Sequence, residues 1–243
     1  ADVGPHYIGG TAVATVTGQY FTGGPLSAAK AAWSVNASWV PYVPPNWPEY
    51  RFGADNSYGL DAESSSPVRH TGHTDRDGRH RLRIEFTRTP DAYPRRLEIS
   101  AAVTDLNQRS LSASSQLLVH PAAVTVGLRP MQHAIAPGEP MRLDVIVTDI
   151  EGKVVEGRPV RVQSTILRPS GERYRDDKVE SCQFESTATP HRCDLAVGES
   201  GSYVVRASVT DTQGRESRTS TVIWALTRSA FPRDLRRDHG RYC

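Results

Sequence analysis

A serine in a glycine-rich segment is the first place in this chain where covalent chemistry could occur. Residues 198–202 read Gly-Glu-Ser-Gly-Ser, which is close to the nucleophile loop of a serine protease. That chemistry needs a histidine base held by a carboxylate, and an oxyanion hole, each on a rigid loop. His191 and Asp194 are near in sequence but supply no such framework. The segment is interpreted as a Gly-Ser turn that enters a strand at Tyr203, so the sequence predicts no catalytic residue and no enzyme.

A cluster of histidines and aspartates is the second candidate, because these side chains can bind metals. Its members are His70, His73, Asp75, Asp77 and His80. A hairpin turn over residues 74–79 would place His73 opposite His80, but two ligands leave a zinc site open and weak. Asp75-x-Asp77-Gly78 has the head of a calcium loop and lacks its distal glutamate. Exposed polar residues of a hairpin are the favoured interpretation, so the sequence predicts no metal and no cofactor.

A repeated phrase shows which elements must position these residues. Val-Thr-Asp occurs at 103–105, 147–149 and 209–211, each time at the end of an alternating apolar run and before a polar turn. A weaker copy occupies residues 74–78. The aspartate accepts hydrogen bonds from backbone N–H groups that follow it, and glycine tolerates the positive φ that closes the turn. The repetition predicts copies of one kind of β-module.

Alternating apolar and polar residues predict the strands themselves. The clearest runs are 13–20, 82–86, 97–103, 111–120, 143–147, 160–162, 203–209 and 220–225, and a strand is also expected after Trp33, across the Asn36-Ala37-Ser38 glycosylation pattern. Short strands with one apolar face, separated by turns, are typical of antiparallel sandwiches. The sequence therefore predicts an all-β fold of two tandem fibronectin-like β-sandwiches, each with six to eight strands. The expected limits are 1–122 and 123–226, with 227–243 as a linker or the start of another module.

Composition and charge exclude several partners. The 243 residues suffice for two domains of ordinary size, and 29 basic against 27 acidic residues give a net charge of only +2. With that balance, no strong electrostatic attraction to nucleic acids or membranes is expected. No apolar run is long enough to cross a bilayer. The basic C-terminal residues 228–241 are interrupted by Asp234 and Asp238, which favours a linker over a nucleic-acid arm. The abrupt ends at Ala1 and Cys243 indicate a piece of something larger.

An aromatic and proline-rich stretch at Trp39–Tyr50 stands out between the strands. Its four prolines oppose a central strand and favour an extended course. It could be a ligand for a proline-recognising domain or an aromatic platform for a sugar. The favoured interpretation is a long connection whose rings pack on the sandwich.

An ordered set of short motifs resembles the bacterial α2-macroglobulins. The main one is Gln19-Tyr20-Phe21-Thr22-Gly23-Gly24-Pro25 followed by Trp33-Ser34-Val35, which is similar to a signature of macroglobulin domains. Further motifs occur in family order at 50–53, 75–78, 118–122, 126–128, 201–203 and 222–224. The resemblance covers roughly residues 1–226.

The resemblance implies a structural scaffold within a broad-spectrum endopeptidase inhibitor that traps proteases. Its partners would be the neighbouring macroglobulin domains of the parent chain and, through the parent, proteases. A periplasmic or cell-envelope location is implied, with a membrane-anchored lipoprotein as one form of the parent. The family's thioester needs a Cys-x-Glu-Gln run, and none of Cys182, Cys193 and Cys243 begins one. With no evident bait segment either, this piece resembles scaffold upstream of the bait.

The cysteines fit the exported character of that family. Cys182 and Cys193 are expected to flank a hairpin between adjacent strands, where a disulfide would stabilise the fold by ~2–4 kcal/mol. Two free buried thiols are the alternative. A zinc site that adds only His191 is disfavoured, because it has too few soft ligands. Cys243 is left over.

A second functional class is kept beside the inhibitor scaffold. An extracellular binding or stalk module, of an adhesin or a sugar-binding protein, would use the aromatic stretch Trp39–Tyr50 as its contact surface. β-sandwiches serve many functions, so the fold alone does not decide between the two classes.

Overall fold

A computed structural model describes residues 4–55, 66–87, 92–170 and 173–226. Every regular element in those ranges is a β-strand, and the strands form several sheets. The all-β sandwich class expected from the alternating patterns is therefore confirmed. The chain divides into two compact units: residues 1–40 and 62–122 make up the first, and residues 41–61 and 123–243 make up the second.

The first unit packs a five-stranded sheet against a two-stranded sheet. Its strands are β1 (His6–Tyr7), β2 (Thr11–Thr17), β3 (Lys30–Trp39), β4 (Val68–His73), β5 (Arg79–Glu85), β6 (Arg95–Thr104) and β7 (Ser110–His120). The larger sheet has the order β1-β7-β6-β3-β4, with β1 parallel to β7, and the smaller sheet pairs β2 with β5. Alternate residues of β5 and β6 point inward, so Ile84 and Ile99 join Trp33 in the core.

The second unit has the same plan with a larger opposing sheet. Its strands are β8 (Val124–Pro130), β9 (Ala134–Ile135), β10 (Met141–Asp149), β11 (Pro159–Ser170), β12 (Arg173–Glu185), β13 (His191–Leu195), β14 (Gly201–Thr210) and β15 (Glu216–Ala225). One sheet has the order β13-β10-β8, and the other has the order β12-β11-β14-β15-β9. The core between them contains fully buried side chains such as Leu128, Leu143, Tyr203 and Ile223.

The four Asp-headed turns have one common geometry. Oδ1 of Asp75, Asp149 and Asp211 accepts hydrogen bonds of 2.8–3.0 Å from the backbone N–H groups two and four residues later. Asp105 accepts the equivalent bond from Arg109 at 2.8 Å. The fourth position has a positive φ in every copy: Gly78 (72°), Gln108 (63°), Gly152 (86°) and Gly214 (70°). The repeated sequence phrase is therefore one repeated turn, and the copy at residues 74–78 is complete.

The strands on either side of a turn do not always pair with each other. The prediction that His73 faces His80 across a hairpin is wrong, because β4 and β5 belong to different sheets. His73 pairs with Lys30 on β3, whereas His80 pairs with Val16 on β2. The turn at residues 74–78 thus carries the chain from one layer of the sandwich to the other, and local sequence cannot distinguish this from a hairpin.

Candidate functional site

Most of the aromatic and proline-rich stretch, together with the five residues that follow it, packs within the second unit. We call residues 41–55 the strap. Its first half is held by the Asp149 turn, where Tyr42 Oη donates a 2.6 Å hydrogen bond to the carbonyl of Ile150. Trp47 Nε1 donates a 2.9 Å bond to the carbonyl of Gly152. The strap therefore uses backbone carbonyls of the turn as acceptors, and the indole N–H of Trp47 is satisfied as it should be when the ring is partly buried.

Gly152 is the residue that lets the strap approach this turn. A Cβ at position 152 would overlap the backbone carbonyl of Pro45, and its φ of 86° already disfavours any other residue. Gly214 occupies the equivalent turn position with open space around it. Only the first of these glycines is therefore required by close packing as well as by backbone conformation.

The second half of the strap covers the outer face of the three-stranded sheet. Tyr50 and Phe52 are 3% and 4% exposed and form a small apolar cluster with Ile146, against which Trp47 packs. Ile146 stands at a position of β10 that alternation assigns to the outer face, between residues that point into the core. Gly127 on β8 leaves room for the Phe52 ring. The strap thus gives this sheet a second apolar layer.

Backbone and side-chain hydrogen bonds fasten the end of the strap. Arg51 and Leu128 exchange backbone bonds of 2.8 and 3.0 Å. Gly53 N–H donates to Thr219 Oγ1 at 3.0 Å and its carbonyl accepts from Ser220 at 2.9 Å, while Asp55 N–H donates to Ser220 Oγ at 2.9 Å. The favoured interpretation of the aromatic stretch as an anchored connection agrees with these contacts, although the surface that it packs on is that of the second unit.

A row of three charged residues crosses the same sheet beside the strap. Arg129 on β8 and Arg192 on β13 both lie directly opposite Asp144 on β10. Their guanidinium groups donate to the two Asp144 oxygens at 2.7 and 2.9 Å, and the Arg129 guanidinium carbon lies 5.0 Å from the centre of the Tyr50 ring. Burial opposes ionisation of Asp144, but the bonds from the two arginines hold its pKa below the ordinary value.

Asp211 does more than close its turn. Its Oδ2 accepts a 3.0 Å bond from Ala123 N–H, at the start of the 123–226 stretch, and a 2.7 Å bond from Arg215 Nε. Burial opposes ionisation here too, yet these donors hold the pKa of Asp211 below its ordinary value. The turn therefore fixes the residue that leads into β8.

The two inner cysteines lie next to each other in the core of the second unit, but not across a hairpin. Cys182 is on β12 of the five-stranded sheet and Cys193 is on β13 of the three-stranded sheet. The expected hairpin is therefore wrong, because the connection between these strands crosses from one sheet to the other. Burial first, and then the neighbouring Cys182 thiol, raise the pKa of Cys193 well above its ordinary value. Both residues are thiols in this structure.

The other candidate residues are dispersed. His80 Nδ1 accepts a 3.0 Å bond from Trp33 Nε1, and Gly72 leaves room for its ring. His191 stacks on Phe184 at 3.8 Å, and the 198–202 segment enters β14 with the Tyr203 hydroxyl bonded to the Glu199 carbonyl at 3.0 Å. Among the described residues, no group of three or more His, Cys, Asp or Glu side chains is arranged to hold a metal ion. The tail 227–243 and Cys243 lie outside the described residues.

Sequence reasoning missed the charged row and the place where the strap packs. Two signals point to them. Ile146 is an apolar residue at a position that alternation reserves for solvent, which indicates that something covers the outer face. Gly127 interrupts an apolar strand, which often marks close approach of another segment. Neither signal identifies the strap as the covering segment, because it is separated from β8 and β10 by about 75 to 100 residues.

Comparisons with known proteins define the class as macroglobulin-type β-sandwiches in tandem. The crystal structure of trypsin-activated α2-macroglobulin from Escherichia coli matches 92% of this chain with a TM-score of 0.66 and 15% identity. The match occupies 16% of that structure's own chain. At this identity the likeness establishes the fold. Within the described residues, no helix could span a membrane.

Two curated relatives then connect the chain with a particular family. An α2-macroglobulin homolog from Nostoc sp. is 24% identical over 231 residues, which is 90% of this chain and 12% of the relative. A homolog from Deinococcus radiodurans is 26% identical over 240 residues, which is 89% of this chain and 23% of the relative. No family model matches the chain. The resemblance to bacterial α2-macroglobulins is confirmed, and the chain spans less than a quarter of these relatives.

Proposed function

We propose that this chain is a structural scaffold of an α2-macroglobulin-type broad-spectrum endopeptidase inhibitor. The observation that carries the proposal is the similarity to α2-macroglobulin homologs over about nine-tenths of the chain, across both sandwich units. The charged and aromatic groups of the second unit support a structural role. Asp144, Asp211 and the rings of the strap are engaged in contacts within that unit.

The remaining features of the proposal follow from that class of protein. The partners are neighbouring macroglobulin domains of the same polypeptide and, through the whole protein, proteases. The chain itself carries out no catalysis, and its location is the periplasm or cell envelope. We also propose domains at residues 1–122 and 123–226, followed by a linker, with the strap inserted in the first sequence range but packed on the second unit.

A comparison of the 243-residue chain with the whole polypeptide that contains it tests the function. Each is incubated at equimolar ratio with a trypsin-like protease, and cleavage of a large protein and of a small chromogenic peptide is followed. The whole polypeptide should suppress cleavage of the large substrate and spare the small one, because a trapped protease stays active toward molecules that can reach it. The 243-residue chain should leave both activities unchanged.

Two results would contradict the proposal in different ways. If the 243-residue chain alone suppresses cleavage of the large substrate, these units carry the inhibition themselves and are not merely scaffold. If the whole polypeptide leaves that cleavage unchanged, the inhibitor class is wrong. Bovine serum albumin at the same concentration controls for simple competition between substrates.

A disulfide between Cys182 and Cys193 is a separate part of the proposal. Their thiols are neighbours in the core, and a bridge would join the two sheets of the second unit through β12 and β13. Protein purified from the periplasm is denatured and alkylated without reduction, and its peptides are mapped. One cross-linked pair and an alkylated Cys243 are expected. Alkylation of all three cysteines before reduction would rule out the bridge.

A further inference from the structure

The two units have the same strand order, except that the second unit has one strand, β8, with no equivalent among the described residues of the first. The pairing β4-β3-β6-β7-β1 of the first unit repeats as β12-β11-β14-β15-β9 in the second. The pair β2-β5 repeats as β10-β13. The second unit adds β8 along the outer edge of β10, antiparallel to it. Among the residues that the structure describes, nothing occupies the equivalent edge of β2.

A position that β8 covers in the second unit is exposed in the first. The Asp105 and Asp211 turns align β7 with β15 at a constant offset of 106 residues, so that Leu111 corresponds to Ser217 and Leu117 to Ile223. Ser217 and Ile223 are both fully buried. Leu111 is 67% exposed, although its cross-strand partner Val103 faces the core. The inner face of β7 is therefore uncovered at Leu111, whereas Leu117 is partly buried against the core of the first unit.

A cavity of about 270 Å³ lies where this layer is lacking. It is bounded by residues 12–17 of β2, by Trp33, by Ile99 and Ala101 of β6, and by residues 113–115 and 117 of β7. In the second unit, β8 occupies the corresponding space and packs on both β14 and β15. The cavity is open to solvent, and it lies over apolar side chains of the kind that β8 covers in the second unit.

The edge of β2 that faces away from β5 has backbone N–H and C=O groups available for pairing with another strand. Phe86 N–H donates to the Gly10 carbonyl and Gly18 N–H donates to the Gly78 carbonyl, at the two ends of the β2–β5 ladder. Because antiparallel pairing alternates, even-numbered residues of β2 direct their backbone groups to β5. Thr11, Val13, Thr15 and Thr17 direct theirs to the opposite edge. This edge contains no charge, proline or bulge, the devices with which exposed edges normally prevent association.

We propose that the free edge of β2 is the binding site of one extended strand with the chemistry of β8. The strand runs antiparallel to β2, pairs with the four odd-numbered residues and inserts alternate apolar side chains into the cavity over Ile99, Ala101 and Ala113. It is delivered from the N-terminal side of β1. The connectivity supports this source, because β8 precedes the short parallel strand β9 in the second unit just as this strand would precede β1.

A graft built from the protein's own residues tests the proposal. The pairing of β9 with β15 and of β1 with β7 makes Ala134 equivalent to Pro5. A variant therefore replaces residues 1–4 with a copy of residues 124–133, which provides β8 and its natural connection. The matched control carries the same copy with serine in place of Val124, Val126 and Leu128, so that it can reach the edge but cannot fill the cavity.

Hydrogen exchange of the β2 amides in the full chain is the measurement. The graft should slow exchange at Thr11, Val13, Thr15 and Thr17 by at least about tenfold and leave Ala12 and Ala14 unchanged, since these already pair with β5. The serine control should give much less protection. Equal exchange in the grafted and ungrafted chains, or equal protection by both grafts, would overturn the proposal.

Two outcomes in the ungrafted chain also decide against it. Concentration-independent protection of the four amides would mean that another part of the chain already covers this edge. Protection that increases with concentration, together with a dimer in light scattering, would assign the edge to a second copy of the chain. The grafted chain is expected to be a monomer, because its edge is filled.

Discussion

Substitution of Gly152 by alanine should release the strap from the second unit. The new Cβ would overlap the Pro45 carbonyl, and the positive φ of 86° adds its own cost. Gly214→Ala is the matched control, since position 214 has the same place in an Asp-headed turn of the same unit, a φ of 70° and no neighbour within reach. The difference between the two variants therefore isolates the contact with the strap.

The expected magnitudes follow from those contacts. A left-handed conformation costs a non-glycine residue about 1–2 kcal/mol, which is the whole expected effect of Gly214→Ala. Gly152→Ala should also lose the strap hydrogen bonds to Ile150 and Gly152, each worth about 1 kcal/mol, so it should be destabilised by about 2 kcal/mol more. For a unit of this size that difference corresponds to a further decrease in Tm of roughly 8 °C.

Denaturation by urea, hydrogen exchange and fluorescence measure the effect. In Gly152→Ala the Arg51 amide, which donates to the Leu128 carbonyl, should exchange faster, and the emission of Trp47 should shift to the red as its ring enters water. Gly214→Ala should change neither signal. Equal destabilisation of both variants, with the Arg51 amide still protected, would refute the conclusion that close approach to Pro45 requires glycine.

Three smaller substitutions test other parts of the fold. Gln108→Gly should stabilise the first unit by about 0.5–1 kcal/mol in urea denaturation, because Gln108 has a φ of 63° where the other turns have glycine; Gln108→Ala should not. Tyr50→Phe should be neutral or slightly stabilising in the same assay, because the buried Tyr50 hydroxyl has no partner among the described residues. Burial, and then the charge of His6, lower the pKa of His120 from 6.5 to about 4. As the pH falls, the unfolded chain therefore binds a proton at His120 before the folded chain does. The free energy of unfolding of the wild type should decrease by at most about 2–3 kcal/mol between pH 6.5 and pH 4. In His120→Gln the free energy of unfolding should depend less on pH over this range.

The sequence predicts the sandwiches because their elements are encoded locally. A period of two in β5, β6 and β10 needs only neighbouring residues, and the Asp-headed turns need only five. Alternation in the sequence does not predict burial where both faces of a strand are covered, or where neither face is. In β10 the outer residue Ile146 is buried by the strap, and in β7 residues of both faces are exposed, so burial does not follow a simple period there.

Pairing between strands is harder to predict than the strands themselves. In the turn that carries β4 into β5 and in the turn that joins β6 to β7, the aspartate accepts a bond from the backbone N–H four residues later, yet the first turn changes sheets and the second closes a hairpin. The same ambiguity led to the wrong hairpin for Cys182 and Cys193. What separates the two cases is packing between layers, which depends on residues far apart in the sequence.

The two carboxylates that could act as general bases, Asp211 and Asp144, instead stabilise the backbone and connect segments of the second unit. Asp211 could be a general base by type, but it accepts three backbone N–H groups and the Arg215 side chain, so its ionised form is already satisfied. Asp144 is held in the same way by two arginines. A carboxylate whose pKa is lowered by such donors is a weak proton acceptor near neutral pH. The lowered pKa values of Asp144 and Asp211 thus accompany a reinforced sheet and a rigid turn, which supports the proposed scaffold role.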